Sequence, residues 1–209
     1  MDVCRIFVVR HGQTTYNRDD IISGHDVDPE LTDEGRAQAQ RTQARLSHIT
    51  FDTAYSSDLQ RAADTAAIIY GKPVHPRHRI PELRERKFGA IDGMPNHHLR
   101  KLRSSLEVQG LSDAERWTHK LAEDMESDQE VALRFERALT RVARQNLGKT
   151  ILVGSHGGTL RTLLIHLGYA KSTAELPYGS IENAAYAELL YDGSKFSFGE
   201  VSGVHLRPR

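Results

Sequence analysis

Two short apolar runs restrict what this chain can fold into more than anything else in it. Ile6-Phe7-Val8-Val9 and Ile151-Leu152-Val153-Gly154 are each too short for a helix and contain no polar alternation, so each reads as a strand buried on both faces. Strands of that kind belong to α/β folds, where helices cover both sides of a mainly parallel sheet. Each run also stops at a histidine and a glycine, in Arg10-His11-Gly12 and in Ser155-His156-Gly157-Gly158. Ligands of open α/β sheets bind at the carboxyl ends of the strands, where a glycine lets the backbone turn tightly around something that approaches closely. Both histidines therefore stand where chemistry usually happens.

The remaining sequence supplies the other elements. Thr32 reads as the N-cap of a helix over 32–47, with Asp33 and Glu34 in its first turn. Residues 51–56 form a short strand, and Ser57 or Asp58 is expected to cap a helix in which Leu59, Ala62, Ala63, Ala66, Ile69 and Tyr70 keep a 3.6-residue period. A third strand is expected within 73–81 despite its three prolines, and helices over 130–147 and 159–167. Residues 183–191 and 195–201 form a hairpin about Asp192-Gly193, and the tail 203–209 is expected to fray. Two aperiodic stretches, 11–30 and 82–93, read as long functional loops. The charge-rich stretch 95–128, with Leu99, Leu102, Leu106, Trp117 and Leu121, reads as a helical insertion covering the crevice. A length of 209 residues suits one domain.

Charge excludes some partners. With 28 basic and 28 acidic residues the formal charge is zero, so no global field favours nucleic acid or an anionic membrane, and any anion site must be local. Arg5 interrupts the short apolar stretch near the start, and no segment approaches the ~20 apolar residues of a membrane span. A soluble cytoplasmic protein is expected. Cys4, the single cysteine, reads as a small buried hydrophobe. Among the eleven histidines, His75, His78, His97 and His98 fall at no metal-ligand spacing, and no glycine-rich nucleotide cradle is present.

Arg10-His11-Gly12-Gln13-Thr14-Thr15-Tyr16-Asn17 is followed, in order, by Ser23-Gly24, Ser57-Asp58-Leu59-Gln60-Arg61, Leu83-Arg84-Glu85 and Ser155-His156-Gly157-Gly158. This series resembles the histidine phosphatase superfamily, which includes the cofactor-dependent phosphoglycerate mutases. The resemblance implies a three-layer α/β/α sandwich, phosphoglycerate mutase-like, with a mainly parallel sheet and one antiparallel edge. It also implies a phosphohistidine intermediate. Phosphoryl transfer needs an in-line nucleophile, positive charge around the equatorial oxygens and a proton for the leaving oxygen. His11 is the expected nucleophile, since an imidazole is mostly neutral near pH 7, and its other ring nitrogen should donate to a carbonyl or a hydroxyl. Arg10 and Arg61 suit a phosphoryl clamp because the planar guanidinium offers paired, charge-assisted hydrogen bonds. Asn17 and the backbone near Ser23 and Gly24 add neutral donors at positions that contact phosphate in the family. His156 resembles the family's second histidine, and Gly157 opens a helix whose first amides favour an anion. Glu85 aligns with the family's general acid, a role that asks for partial desolvation, and Glu82 is its rival. These groups replace the charge of a metal ion, so neither a metal nor another cofactor is expected.

Three departures separate this chain from the mutases it resembles. Mutases typically carry His-Gly-Asn where His156-Gly157-Gly158 stands, an aromatic hydroxyl where Phe88 stands, and a lysine shortly after the glycine matching Gly93. The expectation is therefore a phosphomonoesterase acting on a small phosphorylated metabolite. Phosphoglycerate mutase is the first alternative, and a non-catalytic phosphate- or phosphoprotein-binding module the second. Specificity is expected from Arg84, Arg86, Lys87 and the insertion.

Overall fold

The computed structural model describes residues 2–108 and 110–207. Its five-stranded sheet runs in the order β2-β3-β1-β4-β5, with β1 at Cys4–Arg10, β2 at Thr53–Ser56, β3 at Thr150–Ser155, β4 at Ile181–Tyr191 and β5 at Phe196–Val204. β3 pairs parallel with β1 and with β2, β4 pairs antiparallel with β1, and β5 pairs antiparallel with β4. Only β4 is reversed, so the sheet is mixed but mainly parallel in strand direction. The helices are α1 (Thr15–Arg18), α2 (Asp33–Arg45), α3 (Gln60–Tyr70), α4 (His97–Val108), α5 (Asp113–Thr118), α6 (Asp128–Arg144) and α7 (Gly157–His166).

Successive side chains of a strand face opposite sides, and β1 therefore builds two cores. Ile6 and Val8 pack with Ile151, Val153, Phe135 and Leu139 of α6, and Leu160 and Leu163 of α7. Phe7 and Val9 pack on the other side with Leu152, Ala39 of α2, and Ala66 and Ile69 of α3. Three layers result, as the resemblance implied. Each buried side chain of this size contributes roughly 1.5–3 kcal/mol. An exposed ion pair such as Arg41–Glu34 contributes about 0–1 kcal/mol, so burial along β1 and not surface charge holds the layers together.

The 95–128 stretch carries α4 and α5. Leu99 packs with Ile22 of the first long loop and Phe88 of the second, which ties the insertion to both. Farther on, the Trp117 ring of α5 stacks on His166 at the end of α7, with centroids 6.3 Å apart and planes 5° from parallel.

Several boundaries differ from the sequence reading for physical reasons. Residues 73–81 form no strand: Pro76 and Pro81 each begin a 3₁₀ turn, and one parallel bridge between Ser56 and Arg79 is all the pairing that remains. Neither Ser57 nor Asp58 is the N-cap of α3. Leu59 is, with no side-chain cap of its own, and the carboxylate of Asp28 reaches over from the first loop to accept from the Gln60 and Arg61 amides. Within 11–30 the short helix α1 forms because Thr14 and Asn17 cap each other reciprocally. The tail is not frayed over its described length. β5 continues to Val204, and the amides of His205 and Arg207 donate to Ser180 and Glu175 carbonyls, each at 2.9 Å; Pro208 and Arg209 lie outside the described residues. No helix of the described residues is long and apolar enough to cross a membrane.

One backbone contact joins the strand end to the helical layer. A Cβ on Gly35 would lie 2.0 Å from the Gln13 carbonyl oxygen, and one on Gly12 would lie 2.2 Å from the Gly35 oxygen. Gly35→Ala should therefore destabilise the protein by about 1–3 kcal/mol, the usual penalty of overpacking, read as a lower urea midpoint with an unchanged slope.

Candidate active site

Parallel pairing sets Arg10 of β1 opposite Ser155 of β3, so the next residue on each strand is a histidine. The His11 amide donates to the Ser155 carbonyl at 2.9 Å, and the two imidazoles stand edge to face with centroids 5.3 Å apart. His11 is 3% exposed and His156 is fully buried. His11 Nδ1 lies 2.7 Å from the Gly12 carbonyl oxygen. A carbonyl only accepts, so Nδ1 carries the hydrogen and Nε2 keeps its lone pair. Burial, followed by the positive charges of Arg61 and Arg10, holds the His11 pKa well below the ordinary 6.5. Burial, then Arg61 and His11, do the same for His156, neither of whose ring nitrogens has a hydrogen-bond partner among the described residues.

Arg10, His11, Asn17, Ser23, Glu85 and Gly157 line one cavity of about 210 Å³. His156 and Arg61 are buried against these groups without lining it. Arg10 gives Nη1 to the Ile181 carbonyl and leaves Nε buried and unpartnered, and burial lowers its pKa to about 10. Arg61, 1% exposed, gives Nη1 to the Val27 carbonyl and to Asp28, and Nη2 to the Gly24 carbonyl, which again leaves Nε without a partner. Ser23 Oγ is a third unpartnered polar atom on this wall. Gly24 is not placed to offer its amide: that N–H donates to Asp92 at 2.7 Å, and its role is to hold Arg61 through its carbonyl.

Glu85 is 6% exposed and fixed by three backbone amides. Gly158 donates to one carboxylate oxygen at 2.7 Å, while Thr159 at 3.1 Å and Arg86 at 2.7 Å donate to the other. A Cβ at 158 would lie 2.5 Å from that carboxylate, so a larger residue there would shift Glu85. The rival Glu82 points elsewhere and pairs with Arg141. Of the expected specificity residues, Arg86 lines the cavity, but Arg84 is held by Asp58 in a two-toothed ion pair at 2.7 and 2.8 Å, and Lys87 is exposed. Neither faces the cavity because their neighbours in the loop, Glu85 and Phe88, take the inward positions.

The sequence reading passed over two groups that set this geometry. Asn183 Nδ2 donates to the His11 carbonyl at 3.3 Å and to Asn17 Oδ1 at 3.2 Å. The Thr14 amide also donates to Asn17 Oδ1, at 3.1 Å, so the Nδ2 of Asn17 is the end left to face the cavity. Next to it Ala184 adopts φ +57°, a left-handed conformation rare for a residue with a Cβ, and this turns its amide onto the His11 carbonyl at 3.2 Å. Asp28 is the second group, as cap of α3 and partner of Arg61. An irregularity before the alternating run of β4 was the only sequence signal for Asn183. Among the described residues no group of three or more His, Cys, Asp or Glu side chains could hold a metal ion.

The depressed histidines have a consequence for stability. Their folded pKa values lie below 6.5, so as pH falls through 6.5 the unfolded chain takes up protons that the folded site refuses, and stability falls. Between pH 7 and pH 5 the unfolding free energy should drop, and His11→Gln should flatten that slope; chemical denaturation at a series of pH values measures both.

Residues 6–202 match the Histidine phosphatase superfamily (branch 1). Phosphoglycerate mutase-like protein 4 of Arabidopsis thaliana is 34% identical over 207 residues, covering 97% of this chain and 87% of that protein. The adenosylcobalamin/alpha-ribazole phosphatase of Escherichia coli is 34% identical over 163 residues, 78% of each chain. In fold, the crystal structure of phosphoglycerate mutase from Bacillus anthracis superposes with a TM-score of 0.80 at 23% identity, covering 97% of this chain and 94% of that one. The match runs from the third residue of β1 almost to the end of β5 and encloses every group described above: the chain belongs to the histidine phosphatase superfamily.

Proposed function

We propose that this protein hydrolyses a small phosphomonoester through a phosphohistidine formed on Nε2 of His11. The observation that carries the reading is the His11 ring, held neutral by burial and the charge of Arg61 and in one tautomer by Gly12, on the same cavity wall as a fixed carboxyl group, Glu85. Nε2 attacks phosphorus, and the ester P–O bond breaks as Glu85 gives its proton to the departing alkoxide. Water then attacks the phosphohistidine, Glu85 takes its proton, and His11 leaves as neutral imidazole. Arg10 Nε, Arg61 Nε, Asn17 Nδ2 and one N–H of His156 serve the equatorial oxygens, with the Ser23 hydroxyl and the Gly157 amide beside them. All of these except Asn17 and Gly157 supply a buried polar atom that has no partner among the described residues.

A cavity of about 210 Å³ is smaller than the ~300–1,000 Å³ of drug-sized sites and suits a metabolite of a few carbons. The same reading takes residues 1–209 as one catalytic domain, with the insertion covering the cavity through Asn96, Leu99 and Arg103, and places the reaction in the cytoplasm. Relatives include proteins named as phosphatases and as mutases. Phe88 and Gly158 on the cavity wall bring no polar side-chain group where mutases typically carry one, which favours hydrolysis over return of the phosphoryl group to the substrate.

Two experiments test this. His11→Ala should lower phosphate release by at least ~10³-fold with the fold retained, and rapid acid-free quench of the wild type should trap acid-labile, base-stable label. Phosphoglycerate isomerisation followed in parallel would identify a mutase, and phosphate binding without turnover a binding module. Glu85→Gln should slow the first step for alkyl esters by ~10²–10⁴-fold, yet much less for p-nitrophenyl phosphate, whose leaving group barely needs a proton. Mispositioning alone slows both esters alike, and equal slowing in pre-steady-state kinetics would remove Glu85 from the acid role.

A further inference from the structure

One wall of the cavity holds more positive charge than its neighbours neutralise. Arg86, Arg103 and Arg161 all line it, together with Tyr178. Asp128 is the one carboxylate seen bonded to their side chains among the described residues, and it already accepts from Arg86, from Arg161 Nη1 at 3.2 Å and from the Tyr178 hydroxyl at 3.0 Å. Arg86 is further tied to the Glu126 carbonyl at 3.0 Å, and Arg161 Nε to the Leu176 carbonyl at 2.8 Å. What remains is specific. Arg103 Nε and Arg161 Nη2 are buried N–H groups without a hydrogen-bond partner among the described residues.

Both guanidiniums lie against the same ring, Arg103 at 3.2 Å and Arg161 at 3.9 Å from the centroid of Tyr178, so the two open donors belong to one neighbourhood. Burial, with repulsion from Arg86 and Arg161, lowers the Arg103 pKa to about 10. A guanidinium held among other cations, with a buried donor unmet, is unfavourable until an anion meets it. The cavity continues from this wall to His11, and apolar Ile22, Phe88 and Leu99 are also part of its lining.

We propose that this wall is a second anion site, and that the substrate is a small phosphomonoester whose other end carries a carboxylate or a second phosphate held by Arg103 and Arg161. The proposal rests on the phosphatase reading above and names the substrate class for it. Its donors come from α4 and α7, not from positions 88, 94 to 97 or 158, where this chain departs from the mutases.

Matched three-carbon esters test it: 3-phosphoglycerate carries the carboxylate, glycerol 3-phosphate a neutral hydroxymethyl in its place, and propane-1,3-diyl bisphosphate a second phosphate. For the wild type, kcat/KM should favour at least one anionic ester over glycerol 3-phosphate by about ten- to a hundredfold, and which one identifies the group. Arg103→Met, which keeps the stem over Tyr178, should raise KM for that ester several-fold more than for glycerol 3-phosphate, until the preference falls to about twofold or less; Arg103→Lys should restore part of it. No preference in the wild type, or equal losses on charged and neutral esters, overturns the proposal. If the wild type hydrolyses none of the three, the phosphatase reading is in doubt, and calorimetric binding of the same esters to the His11→Ala protein still decides: a preference lost in His11→Ala/Arg103→Met supports the second site, and equal Kd values reject it.

Discussion

The pairing of β1 with β3 is the contact on which the site depends. It aligns Arg10 with Ser155, delivers His11 and His156 side by side and locks the first to the second strand through the His11 amide. A slip of one residue would turn Ile6 and Val8 out of one core and Phe7 and Val9 out of the other. The register that buries apolar surface best is thus the register that brings the imidazoles together. Stability and catalytic geometry are not separate achievements here.

Burial at that junction also sets the electrostatics. Arg10, Arg61, His11 and His156 are packed into a space where charge is poorly solvated, which keeps the imidazoles neutral and leaves several N–H groups without protein partners. The cations are held by carbonyls of the first long loop and of β4, and by Asp28. Carbonyls orient a guanidinium without cancelling its charge, so the field stays available for an anion. Glu85 is fixed in the complementary way, by amides at the start of α7.

What was legible in the sequence follows from range. His11, Glu85 and His156 lie at strand ends or in motifs whose local pattern fixes their place, and the caps at Thr32 and Thr14 work within three residues. Asp28 and Asn183 act across 32 and 166 residues, on Gln60 and on Asn17, and nothing beside them in the chain points to those partners. Arg84, Arg86 and Lys87 looked equivalent because a loop has no period to tell inward from outward. Arg161 was hidden for the opposite reason: it sits among buried Leu160, Leu163 and Leu164 in a helix that reads as core. The strand expected at 73–81 failed because its prolines remove amides that a ladder needs, and Pro76 and Pro81 open 3₁₀ turns instead.

The stacking of Trp117 on His166 gives the protein a built-in optical reporter. The chain has a single tryptophan, and it sits on α5 while its stacking partner sits at the end of α7, the helix that His156 caps. Indole emission therefore follows the seating of the cover against the catalytic layer, with no second fluorophore of its kind to blur it. Cys4 complements this arrangement: buried in β1, with burial pushing its thiol up to about 11, it leaves a cysteine introduced on α4 as the reactive thiol for a paired label. The motion of the cover relative to the nucleophile is in this way open to measurement in the unmodified active site.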